Sequence, residues 1–325
     1  MQFDPYLHDP DRWGASLVQL AEILLPCLDA AGAESVLEIG AFAGDLTAVL
    51  VNWAERSGAR VVAIDPSPLP SLADLDAASP RLELVRRTSL DALPEMEIPD
   101  VVIIDGDHNY FTVSEELRAI EARAPDGALP LLLFHDVAWP HARRDDYYAA
   151  ELIPEADRLP TAGAAGGLVP GEPGVRPGGL PYPRSAREEG GPRNGVLTAV
   201  EDFVAERDGL RLVVVPAFFG FGAVWDRERP WAAAVAGILD PWDRHPLLER
   251  LEANRVHHLA RGHMRLVEAQ RESERRARQE ALLRRMLESS AFAVAERISR
   301  LRVRAGIAPA QSVISKEEIR RTLGD

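Results

Sequence analysis

The sequence predicts an α/β fold: a doubly wound, mostly parallel sheet of seven strands closed by an antiparallel hairpin, with a helical arm at the C-terminal end. Three observations predict it. Short apolar runs rich in β-branched residues alternate with segments of helical periodicity between residues 36 and 134. Two of those runs stop abruptly in polar groups, Asp105-Gly106-Asp107-His108 and His135-Asp136. Two further runs, Leu210–Val215 and Phe221–Trp225, are separated only by Pro216-Ala217-Phe218-Phe219-Gly220, which is too short for a parallel crossover.

Bulk properties bound the function classes. The chain has 325 residues, 46% hydrophobic and 27% charged, as an ordinary globular protein does. Its net charge of −14 argues against a nucleic-acid partner, because phosphate binding needs a basic footprint. Cys27 is the only cysteine, so neither an internal disulfide nor a thiolate metal cluster can form. The polar, acidic stretch Met1–Arg12 and the lack of an apolar run of ~20 residues predict a cytoplasmic protein without a membrane span. Composition and pattern divide the chain into an N-terminal helical leader (1–35), an α/β domain (36–229) and a C-terminal helical extension (230–325).

The elements follow in order. Met1–Gly14 is a polar leader with Phe3, Tyr6 and Trp13. Ser16 is placed to cap a helix through about Ala31, with Leu17, Leu20, Ile23, Leu24 and Leu28 as its apolar stripe and Pro26 expected to kink or divide it. Val36–Ile39 reads as a strand, Gly40–Gly44 as a tight loop and Asp45–Trp53 as a helix. Arg60–Asp65, Arg81–Val85, Pro99–Asp105 and Leu129–Phe134 are the next strands, and Thr112–Ala124 is a helix with Val113, Leu117 and Ile120 inward. Residues 137–193, rich in Gly and Pro after WPHARRDDYY, are irregular and spring from the polar end of the fifth strand. Such length points to a lid or substrate loop, with Trp139, His141, Arg143, Arg144, Tyr147 and Tyr182 to shape it; the plainer alternative is a flexible insertion. A helix over Val196–Arg207 leads into the hairpin. Beyond Pro230 the Arg, Glu, Ala and Leu content predicts helices whose leucines keep no clean heptad, an arm suited to self-association. Ser315 and Glu318 fit a capping box for a last short helix.

The chemistry gathers at the carboxyl ends of the strands, where open parallel sheets bind ligands. Glu38-x-Gly40-x-x-x-Gly44 is a strand–loop–helix site, and it lacks the G-x-G-x-x-G of pyrophosphate-binding loops, so a ligand with an amino acid and a ribose fits better than a dinucleotide. Asp65 ends the next strand at the spacing expected of a ribose-binding acid; it could equally open the Asp65-Pro66 turn. Asp105, His135 and Asp136 end adjacent strands and could converge on one divalent ion, or Asp136 could orient His135, or both could hold substrate. Asp107 could cap the following helix, and His108 could be a solvated turn residue or stand over the crevice.

Taken together, VLEIGAFAG, VVAIDP, DVVIIDGDHNY, LLLFHDV and LVVVPAFFGFGAVW over residues 36–226 resemble class I S-adenosylmethionine-dependent methyltransferases, whose sheet is Rossmann-like. The DGDH and HDV pair is most similar to methyltransferase family 24, near cephalosporin-hydroxylase-like proteins and metal-dependent O-methyltransferases. The resemblance implies that Glu38, Gly40, Ala41 and Gly44 hold the methionine part of S-adenosylmethionine, that Asp65 and Pro66 meet the ribose, and that Thr88, Ser89 and Leu90 lie near the adenine. It implies a divalent metal, Mg²⁺ favoured, at Asp105, His135 and Asp136, with His135 departing from the acids and amides usual there. It assigns Asp105 and His108 to catalysis, with His108 as the base that takes a proton from an acceptor hydroxyl. The expected activity is O-methylation of a small molecule or sugar; the alternatives are a hydroxylase-like enzyme and a non-catalytic cofactor-binding member of the fold. A glycan is one candidate acceptor and a second copy of the chain, met through the C-terminal helices, one candidate partner.

Overall fold

The structure, a computed structural model, describes residues 17–164, 166–309 and 314–323. The leader aromatics Phe3, Tyr6 and Trp13 and the cap at Ser16 lie outside the described residues. A 3₁₀ turn over Leu17–Leu20 leads into α1 (Ala21–Ala31), which runs unbroken through Pro26 and closes on left-handed Gly32. The expected division at the proline is absent; the change of helix type comes earlier, at Leu20–Ala21.

Seven strands form one sheet: β1 (Ser35–Ile39), β2 (Arg60–Ile64), β3 (Leu82–Val85), β4 (Val101–Ile104), β5 (Leu131–His135), β6 (Leu210–Val215) and β7 (Phe221–Asp226), in the order β3-β2-β1-β4-β5-β7-β6. The pairs among β1 to β5 are parallel, and β7 runs antiparallel to both β5 and β6. The α2 (Asp45–Ser57), α3 (Pro70–Ala78), α4 (Ser89–Ala92), α5 (Tyr110–Arg123) and α6 (Val196–Ala205) helices connect them. This is the predicted Rossmann-like, doubly wound arrangement with a closing hairpin.

Alternation along each strand splits the core in two. Val36, Val101, Ile103, Leu131 and Leu133 join Leu24, Leu28, Leu50 and Trp53 of α1 and α2. Leu37, Val102, Ile104, Leu132 and Phe134 join Leu117, Ile120, Val200 and Phe203 of α5 and α6. All four residues of β4 are buried, which is why VVII carries no polar alternation.

The winding reverses between β1 and β4, so the two strand ends must separate around a crevice. Glycine is required there. A Cβ on Gly40 (φ +90°) would fall 2.1 Å from the Asp105 carbonyl oxygen, so the β1 loop can cross the end of β4 only without a side chain.

The chain forms two compact units, one reaching Arg261 and one beginning at Gly262. The first extends past the boundary expected at 229/230, because α7 (Ala232–Leu239) buries Ala232, Val235 and Leu239 in the core with α1, and the start of α8 (Pro246–Glu288) buries Val256 and Ala260. The second unit holds the rest of α8, α9 (Ser290–Arg304, capped by Ser289) and α10 (Lys316–Leu323). The capping box is present: Ser315 Oγ accepts the Glu318 N–H at 3.1 Å and Glu318 Oε2 accepts the Ser315 N–H at 2.9 Å. Among the described residues, no helix is long and apolar enough to cross a membrane.

Candidate active site

The parallel strands deliver Gly40, Asp65, Thr88, Asp105 and Asp136 to one edge of the sheet. At the β1–β2 end the carboxylates are met by the chain itself. Glu38 Oε2 accepts the Thr47 hydroxyl of α2 at 2.6 Å in a buried contact. Burial pushes its carboxyl up to about 8; the Thr47 hydrogen bond opposes this, and the negative charges of Asp105 and Asp65 add to it. Asp65 accepts the Phe42 N–H at 2.8 Å on one oxygen and the Ser67 N–H at 2.7 Å on the other. It therefore both opens the turn through Pro66 and ties down the glycine loop, where Phe42 is left-handed (φ 40°) and its ring exposed. Each carboxylate oxygen of Asp65 keeps further acceptor capacity, as a ribose diol would need. Gly44, also left-handed, precedes α2 and donates its N–H to Ala41 O at 2.7 Å. After β3, Thr88 caps α4, and Ser89 Oγ donates to Glu116 Oε1 at 2.5 Å. Glu116, from α5, is wholly buried and its carboxyl is likewise raised to about 8 by burial.

At the β4–β5 end the groups face one another. Asp136 is buried and left-handed (φ 57°), a strained conformation that asparagine and aspartate adopt more readily than other side chains. His135 Nδ1 lies 3.1 Å from Asp105 Oδ1 and 3.2 Å from Asp136 Oδ2. Its other nitrogen, Nε2, lies 2.9 Å from the Phe218 carbonyl oxygen and must donate to it. His108 is half-buried rather than solvated, with Nε2 at 3.1 Å from Asp136 Oδ2 and 3.7 Å from Asp105 Oδ1; among the described residues neither of its buried ring nitrogens has a hydrogen-bond partner. Burial disfavours charge on both imidazoles, but the carboxylates outweigh it: Asp136 and Asp105 raise His108 to about 9, and Asp105 and Asp136 hold His135 well above the ordinary value. Asp136 is correspondingly held below the usual carboxylate range, its burial outweighed by His108 and His135.

Residues 137–193 wall this end. They form short 3₁₀ turns and isolated bridges around a polar centre. Buried Arg144 donates to the Ala186 and Pro173 carbonyls at 2.6 and 2.7 Å. Asp145 Oδ1 accepts the Tyr110 and Gly195 N–H groups at 2.8 and 2.7 Å, the first residue of α5 and the one before α6. The Asp146 N–H bonds the His108 carbonyl at 2.9 Å. His141 stacks on His108 with ring centroids 5.0 Å apart, and Tyr148 and Tyr182 set ring edges against His108 and His141. Burial lowers His141 to about 4, which keeps it neutral beside the imidazole it stacks on. The Arg184 guanidinium lies 4.3 Å over the Tyr148 ring.

The α5 helix is capped by Asn109, whose Oδ1 accepts the Thr112 N–H at 2.8 Å. Asp107, the residue the sequence offered for that cap, instead accepts the Thr112 hydroxyl and the Tyr148 N–H at 3.2 and 3.1 Å. Asp105 and His135 change places relative to the strand ends: β4 stops at Ile104, and β5 includes His135.

Ligand atoms of Asp105, His135 and Asp136 all lie within 4.8 Å of one another. The donor set, two carboxylate oxygens and an imidazole nitrogen whose opposite nitrogen is fixed by a carbonyl, fits a divalent ion. Tyr148, Glu116 and the Phe218 carbonyl complete the site without having been assigned to it, and His141 joins them from the substrate loop; Tyr148 and Phe218 lie within the quoted WPHARRDDYY and hairpin stretches, and Glu116 lies in α5 outside any motif.

Residues 37–137 match the family described as "Methyltransferase domain". The matched stretch is about a third of the chain. It runs from within β1 to just past β5, takes in Glu38, Gly40, Asp65, Asp105, His108, His135 and Asp136, and ends where the insertion begins. No curated protein matches the sequence. Solved structures similar to the chain include the SAH-bound methyltransferase PaMTH1 of Podospora anserina (16% identity, 68% of this chain and 83% of that one, TM-score 0.41). Human N-acetylserotonin methyltransferase in complex with SAM is similar at 12% identity, 64% of this chain and 51% of that one, with a TM-score of 0.36. The O-methyltransferase NcsB1 from neocarzinostatin biosynthesis, in complex with SAM and 2-hydroxy-5-methyl naphthoic acid, is similar at 16% identity, 64% of this chain and 54% of that one, with a TM-score of 0.37.

Proposed function

We propose that the chain is an S-adenosylmethionine-dependent O-methyltransferase acting on a hydroxyl of a small molecule or sugar, with a divalent metal at Asp105, His135 and Asp136. The observation that supports this most is the juxtaposition of that donor set and His108 with the glycine loop at the β1/β4 reversal, inside the matched methyltransferase domain. Glu38, Gly40, Ala41 and Gly44 shape the pocket for the methionine part, Asp65 and Pro66 that for the ribose, and Thr88 and Ser89 that for the adenine. The bound donor supplies a sulfonium methyl that is already electrophilic, so the protein's task is alignment and proton removal. Asp105, His135 and Asp136 would hold a divalent ion, which would supply Lewis acidity toward the acceptor hydroxyl. With Asp105 and Asp136 drawn to a bound ion, their hold on His108, about 9 without it, would relax, and its Nε2 would be free to accept the hydroxyl proton. Tyr148, Tyr182 and His141 form an aromatic wall for the acceptor.

Calorimetric titration with S-adenosylmethionine and S-adenosylhomocysteine, with and without Mg²⁺ or Mn²⁺, tests the reading. Micromolar binding of both supports it, and no binding under either condition refutes it. A hydroxylase-like activity is the second reading, favoured by the imidazole ligand, which suits Fe²⁺ better than Mg²⁺; turnover that requires iron and oxygen would establish it.

A further inference from the structure

We infer that Glu252, on the opening turns of α8, is a positioning residue for His135. The inference rests on the site read above and concerns how that site is held. Phe218 and Phe219 lie in the turn between β6 and β7 and are both left-handed, with φ of 50° and 68°. Two adjacent bulky residues hold this conformation only where their surroundings over-determine it. Glu252 is what determines it. Its Oε2 accepts the Phe218 N–H at 3.1 Å and its Oε1 accepts the Phe219 N–H at 2.8 Å.

The Glu252 carboxylate is nearly buried, and a buried anion needs a partner. Arg255, one turn on, supplies it with a forked pair, Nε to Oε2 at 2.7 Å and Nη2 to Oε1 at 2.6 Å, and lays its guanidinium 4.3 Å over the Phe219 ring. Each carboxylate oxygen thus takes one backbone N–H and one guanidinium N–H.

The turn so fixed aims two carbonyls at the segment carrying Asp136. The Phe218 carbonyl accepts His135 Nε2–H at 2.9 Å, and the Phe219 carbonyl accepts the Ala138 N–H at 2.6 Å. Gly220 permits the approach, since a Cβ there would fall 2.5 Å from the Ala138 nitrogen. With Nε2 held, Nδ1 is turned toward Asp105 and Asp136. Glu252 therefore acts through a backbone turn on the orientation of a proposed metal ligand, from a helix beyond the matched domain.

The test uses the full chain, with Glu252→Ala and the near-isosteric Glu252→Gln. Three quantities are read: Mn²⁺ affinity by calorimetry, S-adenosylhomocysteine affinity, and the His135 Nε2–H resonance in ¹⁵N-labelled protein, assigned by its loss in His135→Gln. The expected result for Glu252→Ala is Mn²⁺ binding weakened ~10–100-fold, S-adenosylhomocysteine binding unchanged, and the Nε2–H signal shifted or lost to exchange. Glu252→Gln, which keeps one acceptor oxygen, falls between. A folded variant of either kind with wild-type Mn²⁺ affinity and an unmoved Nε2–H signal overturns the inference. Wild-type protein that binds no Mn²⁺ removes the metal reading alone; the Nε2–H signal then decides, its loss in the variants supporting the positioning role and its persistence refuting it. Should Glu252→Ala not fold, Glu252→Gln is read by the same criteria.

Discussion

The two halves of the sheet edge carry similar acids in different states. At β1 and β2, Glu38 and Asp65 are answered by the chain's own donors: the Thr47 hydroxyl and the N–H groups of Phe42 and Ser67. At β4 and β5, among the described residues, Asp105 and Asp136 are answered by imidazoles, and the ring nitrogens of His108 have no hydrogen-bond partner. The carboxylates of the first half are engaged by the loop they build, with acceptor capacity left over on Asp65. The second is a concentration of ligand atoms held close by surrounding structure. A carboxylate at a strand end thus has two distinct uses, and the donors around it tell them apart.

Four experiments press on this contrast, the largest effect first. Asp136→Asn removes a charge from the open half while tolerating the left-handed backbone, so Mn²⁺ affinity should fall by more than the ~100-fold typical of an outer partner, with S-adenosylhomocysteine binding retained. Near-normal Mn²⁺ affinity in calorimetry would show that Asp136 is no ligand. His108→Ala should lower turnover by about 10²-fold or more without weakening cofactor binding; steady-state kinetics showing wild-type kcat would remove it as the base.

The third addresses the closed half. The Glu38 carboxyl stands at about 8 in the folded chain against 4.5 in model peptides. A raised acid of this kind contributes its stability fully below the lower value and loses it as pH rises through the upper one. Urea midpoints should therefore fall between pH 5 and 8, on the order of a few kcal/mol for full ionisation, and Glu38→Gln should flatten that slope. An unchanged slope in the variant would assign the dependence to Glu116, which is raised to the same level. The smallest effect is expected at the helix start that carries neither half: Asn109→Ala should cost about 1 kcal/mol by denaturation, and a larger loss would mean that the cap also supports His108.

The strands and the hairpin were legible because burial on both faces leaves uninterrupted VVII and LLLF runs, and because acids ending such runs have few structural reasons to be there. The convergence of Asp105, His135 and Asp136 followed from strand adjacency alone. What could not be read came from long-range pairing. Glu252 and Arg255 look like one more surface ion pair in an Arg- and Glu-rich helix, and only their meeting with Phe218 and Phe219 gives them a role. Asp107 and Asn109 are both good caps two positions apart, and the Tyr148 N–H decides between them by engaging Asp107. Around residues 137–193 the organising groups are Arg144, Asp145 and the adjoining Asn194, whose hydrogen bonds follow no period.

Asp145 has a consequence for how the molecule opens. One of its oxygens receives the leading N–H of α5 and the N–H just before α6, and the other receives the Tyr147 hydroxyl. The insertion cannot lift from the sheet edge without baring two helix starts at once. Amide hydrogen exchange at Tyr110 and Gly195 should therefore follow a single opening event, with matched protection and matched response to denaturant, so that the wall over the site and the helices beneath it come and go as one cooperative unit.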